Sequence, residues 1–137
     1  MGKLKSTFGK LLFITLLAAC PYTLSAEGRY FELEDSHGDK FTLQIRNPRK
    51  IRLAERIASG RTHRIVTGRI NKRAVGYNPN WSFHVAPSSI GFTQMAIEVC
   101  DSAIFYVEEN LDEVGGAFLP KNIWCPWSGY ITREIKR

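Results

Sequence analysis

The stretch Arg29–Gly60, RYFELEDSHGDKFTLQIRNPRKIRLAERIASG, decides the fold of this 137-residue chain. Its first half alternates apolar and polar residues around the turn residues Ser36–Asp39, which predicts a β-hairpin. Its second half opens with Asn47-Pro48, a favoured N-cap followed by a residue suited to the first helical position. Gly60 is placed to end that helix. The apolar residues between them recur at helical spacing and are Ile51, Ala54, Ile57 and Ala58.

Downstream of this unit, apolar patterns predict four more strands. The last part of Ile90–Cys100 is apolar on both sides, which predicts a central position in the sheet. Alternation or β-branched residues mark the strands, which are expected within His63–Arg73, Trp81–Val85, Ile90–Cys100 and Tyr130–Ile135.

A second helix is expected after Cys100, capped by Asp101 or Ser102 and ended by Gly115-Gly116. Together with the hairpin and the strands, it predicts the α+β class, a mainly antiparallel sheet with two short helices packed against it. The chain is 44% hydrophobic and 23% charged, which excludes wholesale disorder and fibrous repeats.

The first 26 residues predict an export signal. Lys3, Lys5 and Lys10 precede the uninterrupted apolar run Leu11–Ala19, and no acid occurs among them. Nine helical residues rise about 14 Å, too little to cross a hydrocarbon core of about 30 Å. A basic start followed by a short apolar run is typical of export. We therefore expect an extracellular or periplasmic protein.

Two processing routes remain open for this signal. Cleavage after Ala26 would release residues 27–137 as one domain. Leu17-Ala18-Ala19-Cys20 resembles a bacterial lipobox, and cleavage before Cys20 would leave a lipid on that cysteine as the one expected membrane contact. Residues 1–26 hold three of the nineteen basic and none of the thirteen acidic residues, so the net charge falls from +6 to +3 without them.

Cys100 and Cys125 remain after the signal is removed. Two cysteines in an exported chain are expected to pair. Their spacing, with no CxxC motif and no nearby pair of histidines, makes a poor zinc site. We therefore predict one disulfide, which closes a loop of about 25 residues.

The most biased stretch is Arg46–Arg73, which holds ten basic residues and one acid, Glu55. A basic amphipathic helix suits an acidic partner surface, whereas a solvated face that pairs with the acidic second helix is the structural alternative. Aromatic residues are not interleaved with the bases, which argues against nucleic acid. The basic residues on the helix are Arg49, Lys50, Arg52 and Arg56.

Two sharper hypotheses also stay open. A small exported hydrolase would use His84 with Glu98 or Asp101, residue types that serve in acid–base catalysis. A carbohydrate-binding domain would use an exposed aromatic platform. Its three candidate residues are Trp81, Trp124 and Trp127.

A series of motifs runs through the second half of the chain and resembles the N-terminal domain of a slime-mould calmodulin-binding protein and its small bacterial relatives. The resemblance extends over about Tyr30–Ile135. Its most specific blocks are Glu98-Val99-Cys100-Asp101 and Trp124-Cys125-Pro126-Trp127. The further blocks are Tyr77-Asn78-Pro79-Asn80-Trp81-Ser82-Phe83-His84, Tyr106-Val107-Glu108-Glu109 and Gly116-Ala117-Phe118-Leu119-Pro120.

The resemblance implies a binding module for a protein partner more than an enzyme. We expect a monomer without cofactor or metal, whose partner has acidic character. The expected partner surfaces are the basic helix and the loop Gly115–Asn122, which the disulfide would tether. The loop residues proposed for contact are Phe118, Leu119 and Lys121.

Overall fold

The computed structural model describes residues 2–3 and 27–137. Both predicted processing sites, at Cys20 and Ala26, lie outside the described residues. In residues 27–137 the elements follow in the order β1 (Arg29–Glu34), β2 (Lys40–Ile45), α1 (Pro48–Ala58), β3 (Ile65–Asn71), β4 (His84–Val85), β5 (Gly91–Thr93), α2 (Ile104–Glu109), β6 (Val114–Gly115), β7 (Phe118–Pro120), β8 (Ile123–Trp124) and β9 (Tyr130–Ile135). Short 3₁₀ turns occupy Pro87–Ser89, Glu98–Cys100 and Leu111–Glu113.

The predicted hairpin forms the centre of the first sheet, whose strand order is β2-β1-β9 with both pairs antiparallel. Phe31 and Leu33 of the central strand are fully buried. Glu32 points to the other face, where Arg133 of β9 donates to its carboxylate at 2.8 Å. The hairpin and the last strand are therefore as predicted.

Helix α1 begins and ends as its sequence predicts. Asn47 accepts hydrogen bonds from the backbone N–H groups of Arg49 and Lys50 at 2.9 and 3.2 Å. At the other end Gly60 has φ of 72°, and the Arg61 N–H donates to the Arg56 carbonyl at 2.9 Å. That bond is the outer hydrogen bond of a Schellman motif. Glycine is favoured at the position of Gly60 in this motif because it adopts a left-handed conformation without strain.

The second sheet is built on β3, which pairs antiparallel with β4, β5 and β8. Gly68 of β3 allows a close approach of β4, because the Val85 side chain occupies the place that a Cβ would take. The prediction of a central strand over Ile90–Cys100 is wrong. Only Gly91–Thr93 pairs, and the central position belongs to β3 because its neighbours approach it from both edges.

The loop between β3 and β4 covers the free edge of β2. Asn78 is buried and accepts from the Thr42 N–H at 2.9 Å, while its amide group donates to the Phe83 carbonyl at 3.2 Å. The indole N–H of Trp81 donates to the Lys40 carbonyl at 2.7 Å. Side chains of this loop thus form hydrogen bonds with backbone groups of β2 that would otherwise be free to pair with another strand.

The start of α2 is capped by a residue distant in sequence, so the predicted cap at Asp101 or Ser102 is wrong. Asp35, in the β1–β2 turn, accepts from the Ile104 N–H at 3.0 Å through one oxygen and from the His37 N–H at 2.9 Å through the other. This buried carboxylate joins the hairpin to the helix and satisfies donors at both.

Aromatic and aliphatic residues of the two larger sheets and both helices form a shared core, and β6 and β7 add a short parallel pair. Phe41, Phe83 and Trp124 stack with ring centroids 5.0 to 5.9 Å apart. The α+β class, with mainly antiparallel sheets and two helices, is therefore confirmed. In the part of the chain that the structure describes, neither helix has the length and apolar character needed to cross a membrane.

Candidate functional site

The two most specific motif blocks meet at Cys100 and Cys125, whose Sγ atoms lie at bonding distance as the predicted disulfide requires. The Cys125 N–H donates to the Cys100 carbonyl at 2.7 Å, and Asp101 accepts from the Trp127 N–H at 2.8 Å. The indole N–H of Trp124 donates to the Ser102 carbonyl at 2.9 Å. These three hydrogen bonds hold the two segments together, which gives Asp101 and the Trp124 indole a structural role.

Helix α1 presents three of its four predicted contact residues to solvent. Arg49, Arg52 and Arg56 are exposed and lie on one side of the helix at spacings of three and four residues. Among residues 27–137, none of the three has a carboxylate within ion-pair distance. Lys50 differs, because it is half-buried and its ammonium donates to the Ile90 carbonyl.

Three of the acids that could have neutralised this face have other partners. Glu55 pairs with Arg29 at 2.6 Å, and Glu32 pairs with Arg133. Glu108, on the acidic second helix, accepts from the hydroxyl and the N–H of Ser82 at 2.6 and 2.9 Å. The intramolecular pairing considered as an alternative for the basic helix is therefore not present in the described residues.

The loop Gly115–Asn122 is anchored to β3 by hydrogen bonds, and one of its proposed contact residues is buried. Leu119 is only 1% exposed and packs in the core, so its place in a partner surface was a wrong prediction. Phe118 is half-buried against the ring of Tyr106, and Lys121 is exposed. The signal missed in the sequence is Asn122, which has a left-handed φ of 63°, bonds to both backbone groups of Ile70 in β3 and donates its own N–H to the Leu119 carbonyl at 3.0 Å.

An apolar surface that the sequence did not reveal lies at residues 95–99. Met95, Ile97 and Val99 are 84, 69 and 50% exposed. A shallow hollow of about 360 Å³ adjoins them, lined also by Thr67 and Cys100. Contiguous exposed apolar side chains of this kind mark interaction surfaces.

The residues of the hydrolase hypothesis are not brought together by any contact in residues 27–137. His84 is buried, its Nδ1 lies 2.7 Å from the Arg73 carbonyl and its ring lies beside Tyr77. Asp101 is engaged by Trp127, and Glu98 is exposed in its 3₁₀ turn. Nothing in this arrangement places a base and an acid about one reacting atom.

The carbohydrate hypothesis required three exposed indoles. Trp124 is 1% exposed and lies between Phe41 and Phe83, so a platform that includes it was a wrong prediction. Trp81 is half-buried on the core, with its N–H engaged at β2, and Trp127 remains exposed. A single exposed indole does not make a sugar platform.

Charged groups with perturbed pKa values lie on both faces of the first sheet: Glu32 and Arg133 on the outer face, and Arg29 and Glu134 on the face that α1 covers. Hydrogen bonds from Arg133 hold the pKa of the Glu32 carboxyl below its usual range. Glu134 and, less strongly, Glu55 raise the pKa of Arg29, which in turn lowers the pKa of Glu134. These pairs link β1 to β9 and α1, which is a structural role.

No group of three or more His, Cys, Asp or Glu side chains is placed to hold a metal ion within the described ranges, 2–3 and 27–137. The arrangement of the described residues thus offers two surfaces for a macromolecule. One is the basic face of α1, and the other is the apolar segment 95–99.

Comparison with curated proteins and with solved structures found no match. The family model for the N-terminal domain of calmodulin-binding protein 74 matches residues 27–137, the range over which the two motif blocks, the edge-covering loop and both helices are built. The chain therefore belongs to the family of calmodulin-binding protein 74 N-terminal domains.

Proposed function

We propose that this domain is an exported, non-enzymatic module that binds an acidic protein surface through the basic face of α1. The observation that carries the proposal is the exposure of Arg49, Arg52 and Arg56 without carboxylate partners among residues 27–137. The family resemblance to a calmodulin-binding protein supports a protein as the partner.

The exposed arginines of α1 are better placed to bind a partner than to stabilise the fold. The buried side of the helix is supplied by Ile51, Ala54 and Ile57, so its packing does not depend on the arginines. Unpaired surface arginines raise the local concentration of an acidic partner and accelerate encounter, and each guanidinium can bind a carboxylate through two hydrogen bonds. The face is therefore available for intermolecular pairs at little cost to stability.

The apolar segment 95–99 extends this proposal to a second surface. A partner that reaches it would gain hydrophobic contact with Met95 and Ile97, a contribution that depends weakly on salt. Binding by α1 alone would instead weaken steeply as the ionic strength rises. The salt dependence of binding therefore separates the two surfaces.

The test is affinity capture from bacterial and host extracts with the wild-type chain and with the double variant Arg52→Glu, Arg56→Glu. A matched control, Lys72→Glu with Arg73→Glu, changes the net charge equally at exposed positions away from α1. We expect the control to retain the acidic proteins captured by the wild type and the α1 variant to lose them, with melting temperatures unchanged. Capture of the same proteins by all three chains would refute the proposal.

A further inference from the structure

A polar cleft of about 780 Å³ lies at the end of the first sheet, where β1 begins and β2 and β9 end. Its volume is in the range of small-molecule clefts. It lies apart from the motif residues around the disulfide. It is lined by Glu27, Gly28, Arg29, Tyr30, Gln44, Arg46, Glu134, Ile135, Lys136 and Arg137.

The charge of this cleft is positive once its internal pairs are considered. Arg29 and Glu134 neutralise each other through two hydrogen bonds, one of them 2.7 Å long. Arg46, Lys136 and Arg137 have no carboxylate within ion-pair distance in residues 27–137. Among the side chains that line the cleft, three cations therefore remain against the exposed acid Glu27, while Glu55, which does not line the cleft, also pairs with Arg29 at 2.6 Å.

Two of these cations are held in place by neutral contacts. The Arg137 guanidinium donates to the Tyr77 carbonyl at 2.9 Å and lies 5.1 Å from the centre of the Tyr30 ring. Arg46 donates to the Gln44 side-chain oxygen at 3.1 Å. Neither contact neutralises the positive charge of its arginine. Both restrict the conformations of the arginine side chain before a ligand arrives, so that less conformational entropy is lost on binding.

Gln44 also leaves the Tyr30 hydroxyl group available as a hydrogen-bond donor. The Gln44 amide donates to the Tyr30 hydroxyl oxygen at 3.2 Å, which leaves the hydroxyl proton free to donate to a ligand. Gly28 makes room for this arrangement, since a Cβ there would lie 2.8 Å from two atoms of the Gln44 side chain. The cleft thus combines fixed guanidinium groups with a phenol donor.

We propose that this cleft binds a small organic anion that carries a carboxylate, sulfate or phosphate group, with Arg46, Arg137 and Tyr30 as its donors. Guanidinium forks match the oxygen geometry of such groups, and the phenol adds one neutral hydrogen bond. The cleft and the basic face of α1 involve different residues, so this proposal does not depend on the proposed protein partner.

The experiment titrates the full chain with citrate and with inorganic phosphate, following backbone amide shifts by NMR. Binding is expected to shift the amides of residues 27–30, 44–46 and 134–137. The double variant Arg46→Gln, Arg137→Gln should weaken binding by about tenfold or more, because charge-assisted hydrogen bonds are lost. The matched control Lys72→Gln, Arg73→Gln removes the same charge at exposed positions outside the cleft and outside α1, and should bind like the wild type.

A second variant keeps the test informative if the double variant loses structure. Tyr30→Phe retains the ring beneath Arg137 and removes the hydroxyl, and we expect citrate affinity to fall by about threefold to tenfold with the melting temperature unchanged. The proposal is refuted by wild-type shifts centred outside the cleft, by equal weakening in the cleft variant and the Lys72→Gln, Arg73→Gln control, or by full affinity in Tyr30→Phe.

Discussion

Residues 94–99 and residues 115–122 both lead into the Cys100–Cys125 disulfide, and their environments are opposite. In the first segment Met95 and Ile97 are mostly exposed, and the pairing of β5 with β3 has already ended at Thr93. In the second segment Leu119 is 1% exposed, and Asn122 bonds to β3 through its carbonyl and its side chain.

This difference shows that a disulfide does not by itself decide how firmly the neighbouring chain is held. The disulfide fixes one end of each segment. How firmly the remaining residues are held depends on their own hydrogen bonds and packing. Segment 115–122 obtains those bonds from Ile70 of β3. Segment 94–99 has few of them and is therefore the better candidate for a surface that adapts to a partner.

The largest expected effect on stability comes from a buried residue next to Cys125. Trp124→Ala should lower the free energy of unfolding by about 3–5 kcal/mol, because it empties space beside Phe41 and Phe83 and removes the bond to Ser102. Trp127→Ala is the matched control on the other side of Cys125, and its exposed ring should cost less than about 1 kcal/mol. Urea unfolding monitored by circular dichroism measures both; equal costs would contradict the assignment.

Removal of the disulfide tests how far each segment depends on it. Cys100→Ser with Cys125→Ser should lower the stability by about 3 kcal/mol, since a loop of 25 residues is no longer closed in the unfolded state. Hydrogen exchange should accelerate more in residues 94–101 than in 115–122, where the bonds to β3 persist. Faster exchange in 115–122 than in 94–101 would reverse the comparison.

Features decided by neighbouring residues could be predicted from the sequence. The hairpin, both ends of α1 and the last strand depend on turn residues, an N-cap and a glycine that act within a few positions. The exposed arginines of α1 follow from the same periodicity. The pairing of Cys100 and Cys125 needed only their number and the expected compartment.

Features that depend on distant partners could not be predicted. The apolar pattern of residues 90–100 does not reveal whether a neighbouring strand is available to pair with them. In the structure only Gly91–Thr93 pairs with β3. The cap of α2 comes from Asp35, 69 residues away. Leu119 lies in a loop that Asn122 anchors to β3 by bonding Ile70, which is 52 residues distant. The polar cleft likewise joins both ends of the domain.

A smaller effect is expected where segment 115–122 begins. Gly115 has φ of 94°, and a Cβ there would collide with the side chain of Asn122. Gly115→Ala should therefore cost about 1–3 kcal/mol. Gly116→Ala is the matched control, because Gly116 is outside the left-handed region and its nearest contact is 3.3 Å away. Thermal unfolding compares the two; a neutral Gly115→Ala would show that the loop yields more easily than its bonds indicate.

The smallest expected effect lies in the exposed segment. Met95→Ser and Ile97→Ser should each change the free energy of unfolding by less than about 0.5 kcal/mol, because these side chains bury little apolar surface in the folded protein. Leu119→Ser, at the corresponding apolar position of the other segment, should cost several times more, since it puts a hydroxyl in the core. Urea midpoints of the three variants, with their denaturant slopes, make the comparison. A loss of more than about 1.5 kcal/mol in Ile97→Ser would mean that 94–99 packs in solution as the buried strand its pattern predicts, and the apolar surface would then be absent from the free protein.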